Sequence, residues 1–158
     1  MLDGELTTPD EWLGAGVYRA AAGLPPPAVT AVHFGPSGEQ LAVLVETSGP
    51  AVRFLERYQA GLVFPGPTTV RFRVVPAGGG CRLVREERAG MGWWVKLPSR
   101  ARSAAASVIE ASIPLSELRP APGQKLDFKV VVLDGQAEAE HHPQGAPLCV
   151  AFEGVSRV

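Results

Sequence analysis

Charge of one sign, cysteine and long apolar runs are what this chain of 158 residues has least of. Fifteen Lys and Arg stand against sixteen Asp and Glu, a formal net charge of −1, and they form no run of like charge. A chain so balanced lacks the basic tract that draws in a phosphate backbone by counterion release, so nucleic acid is not an expected partner. No apolar stretch approaches the roughly 18 uninterrupted residues of a membrane-spanning helix, so a membrane is not expected as a partner either. The opening MLDGELTTPDEW has neither the basic nor the apolar region of an export signal, which places the chain, if complete, in the cytoplasm.

The two cysteines, Cys81 and Cys149, have no companion at CxxC or His-ligand spacing. If CRLV and LCVAF are strands, Cys81 shares the parity of Leu83 while Cys149 opposes Leu148 and Val150, so the thiols face different sides and two free cysteines are expected. Equally absent are GxSxG, GxxxxGK[ST], HExxH and an EF-hand loop, which removes the common routes to nucleophilic, phosphoryl and metal chemistry. GAGVYR has GxG without a third glycine or a βαβ setting. No acidic cluster fit for calcium stands out, and neither a metal nor another cofactor is expected. The segment LDGQAEAEHHPQG gathers Asp134, Glu138, Glu140, His141 and His142, a possible zinc or proton-binding set, but adjacent histidines in an acidic loop read first as solvated residues.

What the chain does have is punctuation: 18 glycines and 15 prolines scattered between short apolar runs. Within those runs the apolar residues recur at period two, the mark of a half-buried strand. Val29 to Phe34 and Leu41 to Glu46 flank GPSGEQ and predict a hairpin. Ala51 to Leu55 reads as another strand. In TTVRFRVV, Val70, Phe72 and Val74 share one face, and Arg71 and Arg73 the other. The turn PAGGG leads to Cys81 to Glu86, which pairs with Trp93 to Leu97. Ser107 to Ile113, LDFKVVVLD and LCVAF complete the set. Helical signals are confined to single turns in PLSELRP and FLERYQAG. About eight to ten short strands without a linker or repeat predict one all-β domain over residues 1–158, a single antiparallel β-sandwich of Ig-like or jelly-roll kind.

The segment AGMGWWVKLPS carries adjacent tryptophans, whose side chains point to opposite faces if they lie on a strand. Trp93 falls in phase with Val95 and Leu97 and is assigned to the core. Trp94 falls in phase with Lys96 and becomes the candidate platform. Sugars stack their C–H faces on such a ring while hydroxyls bond to charged neighbours, and the outward Arg71, Arg73, Lys96 and Glu110 are the candidates for that role. The other reading of Trp94, a ring packed under a loop or against a neighbouring domain, stays open.

The two ends of the chain bear a resemblance. LDGELTTPDEWLGAGVY, with Glu11, Trp12, Gly14, Ala15, Gly16 and Tyr18, resembles the start of the β-sandwich domain that follows the catalytic domain in some glycoside hydrolase family 57 amylases and pullulanases. VTAVHFGPSGEQLAVLVE, IEASIPLSELRPAPGQKLDFKVVVLDG and HHPQGAPLCVAF resemble later segments of that group and of the related family 9 carbohydrate-binding modules and DOMON-like domains. Ser37-Gly38 stands where those relatives have Asp-Gly. The resemblance implies the sandwich fold, a structural role for Glu11, Trp12, Gly14 and Gly16, and a noncatalytic carbohydrate-binding or accessory module of α-glucan metabolism. Its partner would be an α-glucan or a glycoside hydrolase. A rival reading is a structural module that docks on its parent hydrolase through the surface near Trp94, Phe54 and Tyr58. A remote one follows from a haem-binding DOMON branch and would use Met91 and His33.

Overall fold

The computed structural model describes residues 2–5, 16–23, 26–118 and 125–151. Twelve strands and two short helices follow one another: β1 (Gly16–Arg19), β2 (Val29–Ser37), β3 (Gln40–Thr47), α1 (Ala51–Phe54), β4 (Gln59–Phe64), β5 (Thr68–Ala77), β6 (Gly80–Ala89), β7 (Val95–Leu97), β8 (Arg102–Ala105), β9 (Ile109–Pro114), α2 (Leu115–Leu118), β10 (Lys125–Asp134), β11 (Ala137–His142) and β12 (Leu148–Ala151). They form two antiparallel sheets. The first has the order β1-β2-β3-β9-β8, the second β11-β10-β4-β5-β6-β7, with β12 paired to the first half of β10. The predicted antiparallel β-sandwich is the fold.

Alternation along each strand sends one side chain set between the sheets. Val32, Phe34, Val43, Val45, Ile109 and Ile113 enter from the first sheet, and Leu62, Phe64, Phe72, Val74, Phe128 and Val130 from the second. Four rings form the centre: Phe128 stacks on Phe64 with centroids 5.4 Å apart and meets Phe34 edge-on at 5.5 Å, while Phe64 meets Phe72 edge-on at 6.0 Å. Such pairs add about 0.5–1.5 kcal/mol each beyond their burial. Gly16 lets β1 pass this cluster, since a Cβ there would stand 2.6 Å from the Phe34 ring.

Turn chemistry sets the registers. Gly78 and Gly79, at φ of 52° and 83°, close the ten-residue β5–β6 hairpin as a two-residue loop, a turn that needs positive φ twice. Gly38 opens the β2–β3 loop at φ 59°.

Several elements differ from expectation. Ala51 to Leu55 is helical, not a strand: Pro50 precedes it, and Ala51 and Phe54 bury one helical face. The helical turn expected over FLERYQAG occupies its first half, where Tyr58 N–H donates to the Phe54 carbonyl at 2.8 Å, and from Gln59 the chain becomes β4, whose Ala60, Leu62 and Phe64 alternate into the core around Gly61. Residues 102–105 form a separate β8, and the acidic 134–142 segment is the β10–β11 hairpin, not a loop.

The sheets are unequal, and this matters at one edge. β6 lies over β8, with the Cys81 thiol 3.3 Å from Ser103 Oγ, so β7 extends past the last strand of the first sheet. Both cysteines are free, Cys81 half-buried and Cys149 exposed.

Candidate functional site

The inward set of the second sheet places its opposite set on the outer face. With Val70, Phe72 and Val74 turned in, Arg71 and Arg73 point out; with Cys81 and Leu83 packed on the core, Arg82, Val84, Glu86 and Arg88 point out. Lys96 stands opposite Glu86 and joins them. Gly61 keeps this face low, for its missing Cβ would meet Val131 Cγ2 at 2.8 Å and the Arg71 stem at 3.5 Å.

Glu86 organises the face. Its carboxylate accepts hydrogen bonds from Arg71 Nε (3.1 Å) and Nη2 (3.0 Å) and from Arg73 Nε (3.1 Å) and Nη2 (3.2 Å). Arg73 Nη1 donates a further bond to Gln59 Oε1 at 3.0 Å. Burial raises the Glu86 pKa, but the hydrogen bonds and charges of Arg73 and Arg71 outweigh it and leave the carboxyl below its ordinary 4.5.

Trp94 sits just before β7 on this outer side. The Arg71 guanidinium carbon lies 4.0 Å from its ring centroid and that of Arg88 4.4 Å, both at cation–π distance. Arg88 Nε is buried without a hydrogen-bond partner among the described residues. Trp94, Arg71, Arg73 and Lys96 therefore share one surface.

Glu110 does not join them. It lies on β9 of the other sheet, 4% exposed, opposite Leu44. Trp93, expected in the core, is 91% exposed, together with Met91 (93%) and Val95 (57%). The reason is the overhang: Val95 has inward parity, facing Glu87 of β6, but no strand of the first sheet covers that position. Phe54 is likewise no surface residue, being part of the core cluster with Tyr58 tilted against it. Glu11, Trp12 and Gly14 lie outside the described residues.

A second polar cluster closes the opposite edge. His142 is buried, not solvated as expected. The Glu140 carboxylate accepts from Ala28 N–H at 2.8 Å and lies 2.9 Å from His142 Nε2. An ionised carboxylate only accepts, so Nε2 carries a proton toward Glu140, and Nδ1 shares a hydrogen bond with the Tyr18 hydroxyl at 2.9 Å. Burial raises the Glu140 pKa, and the bonds from Ala28, His142 and Val29 lower it further than that, to a net value under 4.5. The Tyr18 pKa is raised, first by burial and then by the Glu140 charge. This relay ties β1 to β11.

His33 on β2 bonds Glu46 at 2.6 Å, whereas Met91 follows β6 in the other sheet. Among the described residues no group of three or more His, Cys, Asp or Glu side chains is placed to hold a metal, and no helix is long and apolar enough to cross a membrane.

No family model matches the chain, and neither a characterised protein nor a solved structure shows significant similarity to it.

Proposed function

We propose that the chain is a noncatalytic carbohydrate-binding module whose site is the outer face of the second sheet at its β6–β7 edge. The observation that carries this reading is the Trp93 ring, 91% exposed just before the edge strand β7, whose other side borders a face furnished with arginine, lysine, glutamate and glutamine side chains. An indole open to solvent offers a sugar its stacking surface, and the neighbouring groups offer hydroxyl partners. The Trp94 ring is engaged by Arg71 and Arg88. The sequence resemblance associates such a module with α-glucan enzymes.

Affinity electrophoresis tests the reading. Gels containing soluble starch, glycogen, a polyuronate or no polysaccharide are run with the wild type and Trp93→Ala. Retardation in a polysaccharide gel that is lost in the variant is the expected result; equal mobility in every gel overturns it. Shallow sites of this kind give constants in the micromolar to millimolar range.

A second reading rests on the same overhang. Met91, Trp93 and Val95 expose apolar surface together beside an edge strand, which suits docking onto a partner hydrolase. In that case Trp93 fluorescence is indifferent to sugars and becomes protected on assembly.

A further inference from the structure

The charge on the outer face narrows the ligand. From β10 to β7 that face carries Lys129, Arg71, Arg73, Arg82, Arg88 and Lys96 against Glu86, on a chain whose net charge is −1. Glu86 is occupied by Arg71 and Arg73. Arg82, Arg88, Lys96 and Lys129 form no ion pair among the described residues. Farther along β10, Lys125 and Asp127 offset one another.

Register sets the spacing of the cations. Lys129, Val63, Arg71, Glu86 and Lys96 lie in one row across five adjacent strands. Neighbouring strands are about 4.8 Å apart, so Lys129 and Lys96, the cations of this row without an ion pair, stand roughly 19 Å apart on either side of the Arg71–Glu86 pair. About four pyranose rings of an extended polysaccharide span a similar length. A nucleic acid duplex, with one charge per about 1.7 Å, is far denser than this row.

We infer that the outer face of the second sheet binds an acidic polysaccharide, one whose uronate carboxylates recur along the chain and meet the cations of this face that hold no ion pair, Arg82, Arg88, Lys96 and Lys129. The inference rests on the carbohydrate-binding reading and replaces a neutral glucan with a charged one. Arginine suits the role, since its planar fork matches a carboxylate.

The test compares polygalacturonate, its methyl-esterified form, glycogen and dextran sulfate by affinity electrophoresis and titration calorimetry, using the whole chain. Polygalacturonate is expected to bind, with affinity falling as salt rises. Lys96→Gln/Lys129→Gln, which removes two side chains without an ion pair, is expected to weaken it about tenfold. Unchanged thermal unfolding of that variant separates lost contacts from a damaged fold. Equal binding of the methyl-esterified polymer, or binding of glycogen alone, overturns the acidic ligand and leaves the carbohydrate module standing. Dextran sulfate bound as tightly as polygalacturonate overturns it in favour of charge alone. No binding to any of the four defeats both.

Discussion

Replacing Glu86 by alanine removes one carboxylate and strands two cations. The Glu86 side chain is 7% exposed and those of Arg71 and Arg73 are 16% and 19% exposed, so four hydrogen bonds are lost where water is scarce. Breaking a buried ion pair by deleting one partner costs about 3–5 kcal/mol. Water reaches both guanidinium groups here and Trp94 still stacks on Arg71, so the lower figure, about 3 kcal/mol, applies. For a domain of this size that lowers Tm by about 6–12 °C, read by circular dichroism. Glu86→Gln keeps the shape and one acceptor oxygen and loses roughly half as much. The triple change Arg71→Met, Arg73→Met, Glu86→Leu is expected to lose less than Glu86→Ala alone, because no charge is left uncompensated. The pH dependence follows from a depressed folded-state pKa: the contribution is complete above the ordinary value of 4.5 and is lost as pH falls through the folded-state value. Wild type should therefore lose more stability in acid than Glu86→Gln does. Under the acidic-ligand inference, the same Glu86→Gln change adds one net positive charge to the face, so retention by polygalacturonate should rise while stability falls. The reasoning is refuted if Glu86→Ala unfolds within about 0.5 kcal/mol of wild type, as an ordinary surface substitution does.

Two further changes test other parts of the fold. Tyr18→Phe breaks the link to His142 and is expected to cost about 1 kcal/mol near neutral pH. Because the Tyr18 pKa is raised from 10.0, its contribution is fully present below that pH and lost as pH rises through the folded-state value, so urea titrations of the variant should show a smaller alkaline decline than wild type. Gly61→Ala drives a methyl group toward Val131 and the Arg71 stem, and a loss of about 1–3 kcal/mol is expected, measured as a lower urea midpoint at unchanged slope.

The sandwich was legible because its strands alternate cleanly: Val70, Phe72 and Val74 announced the core face, and the arginines between them the outer one. The glycine turns were legible for the same reason, since positive φ at Gly78 and Gly79 has few other solutions. β4 was hidden by Gly61, which interrupts an otherwise alternating run. Parity groups Trp94 with Lys96 and turns Arg71 and Arg73 outward, but only the strand order brings Arg71 to Trp94. What parity cannot supply is the partner layer. It assigned Trp93 to the core, a role that needs an opposing strand, and the first sheet ends one strand too soon. Glu110 failed for a related reason: a face pointing away from the core says nothing about which sheet it belongs to. The His142 relay was missed because its three side chains come from β1 and β11, 124 positions apart at the extremes, and only strand order brings them together.

The Tyr18–His142–Glu140 relay also gives the molecule a handed perimeter. On that side the rims of both sheets are laced together, so another chain finds no gap to enter between them. On the far side the second sheet ends in β7, three residues long with Lys96 at its centre and paired along one rim only, to β6. Two copies meeting along β7 would each close the other's rim there, with the laced rims facing outward. Such a contact is isologous: the same rim on both copies is used up when the pair forms.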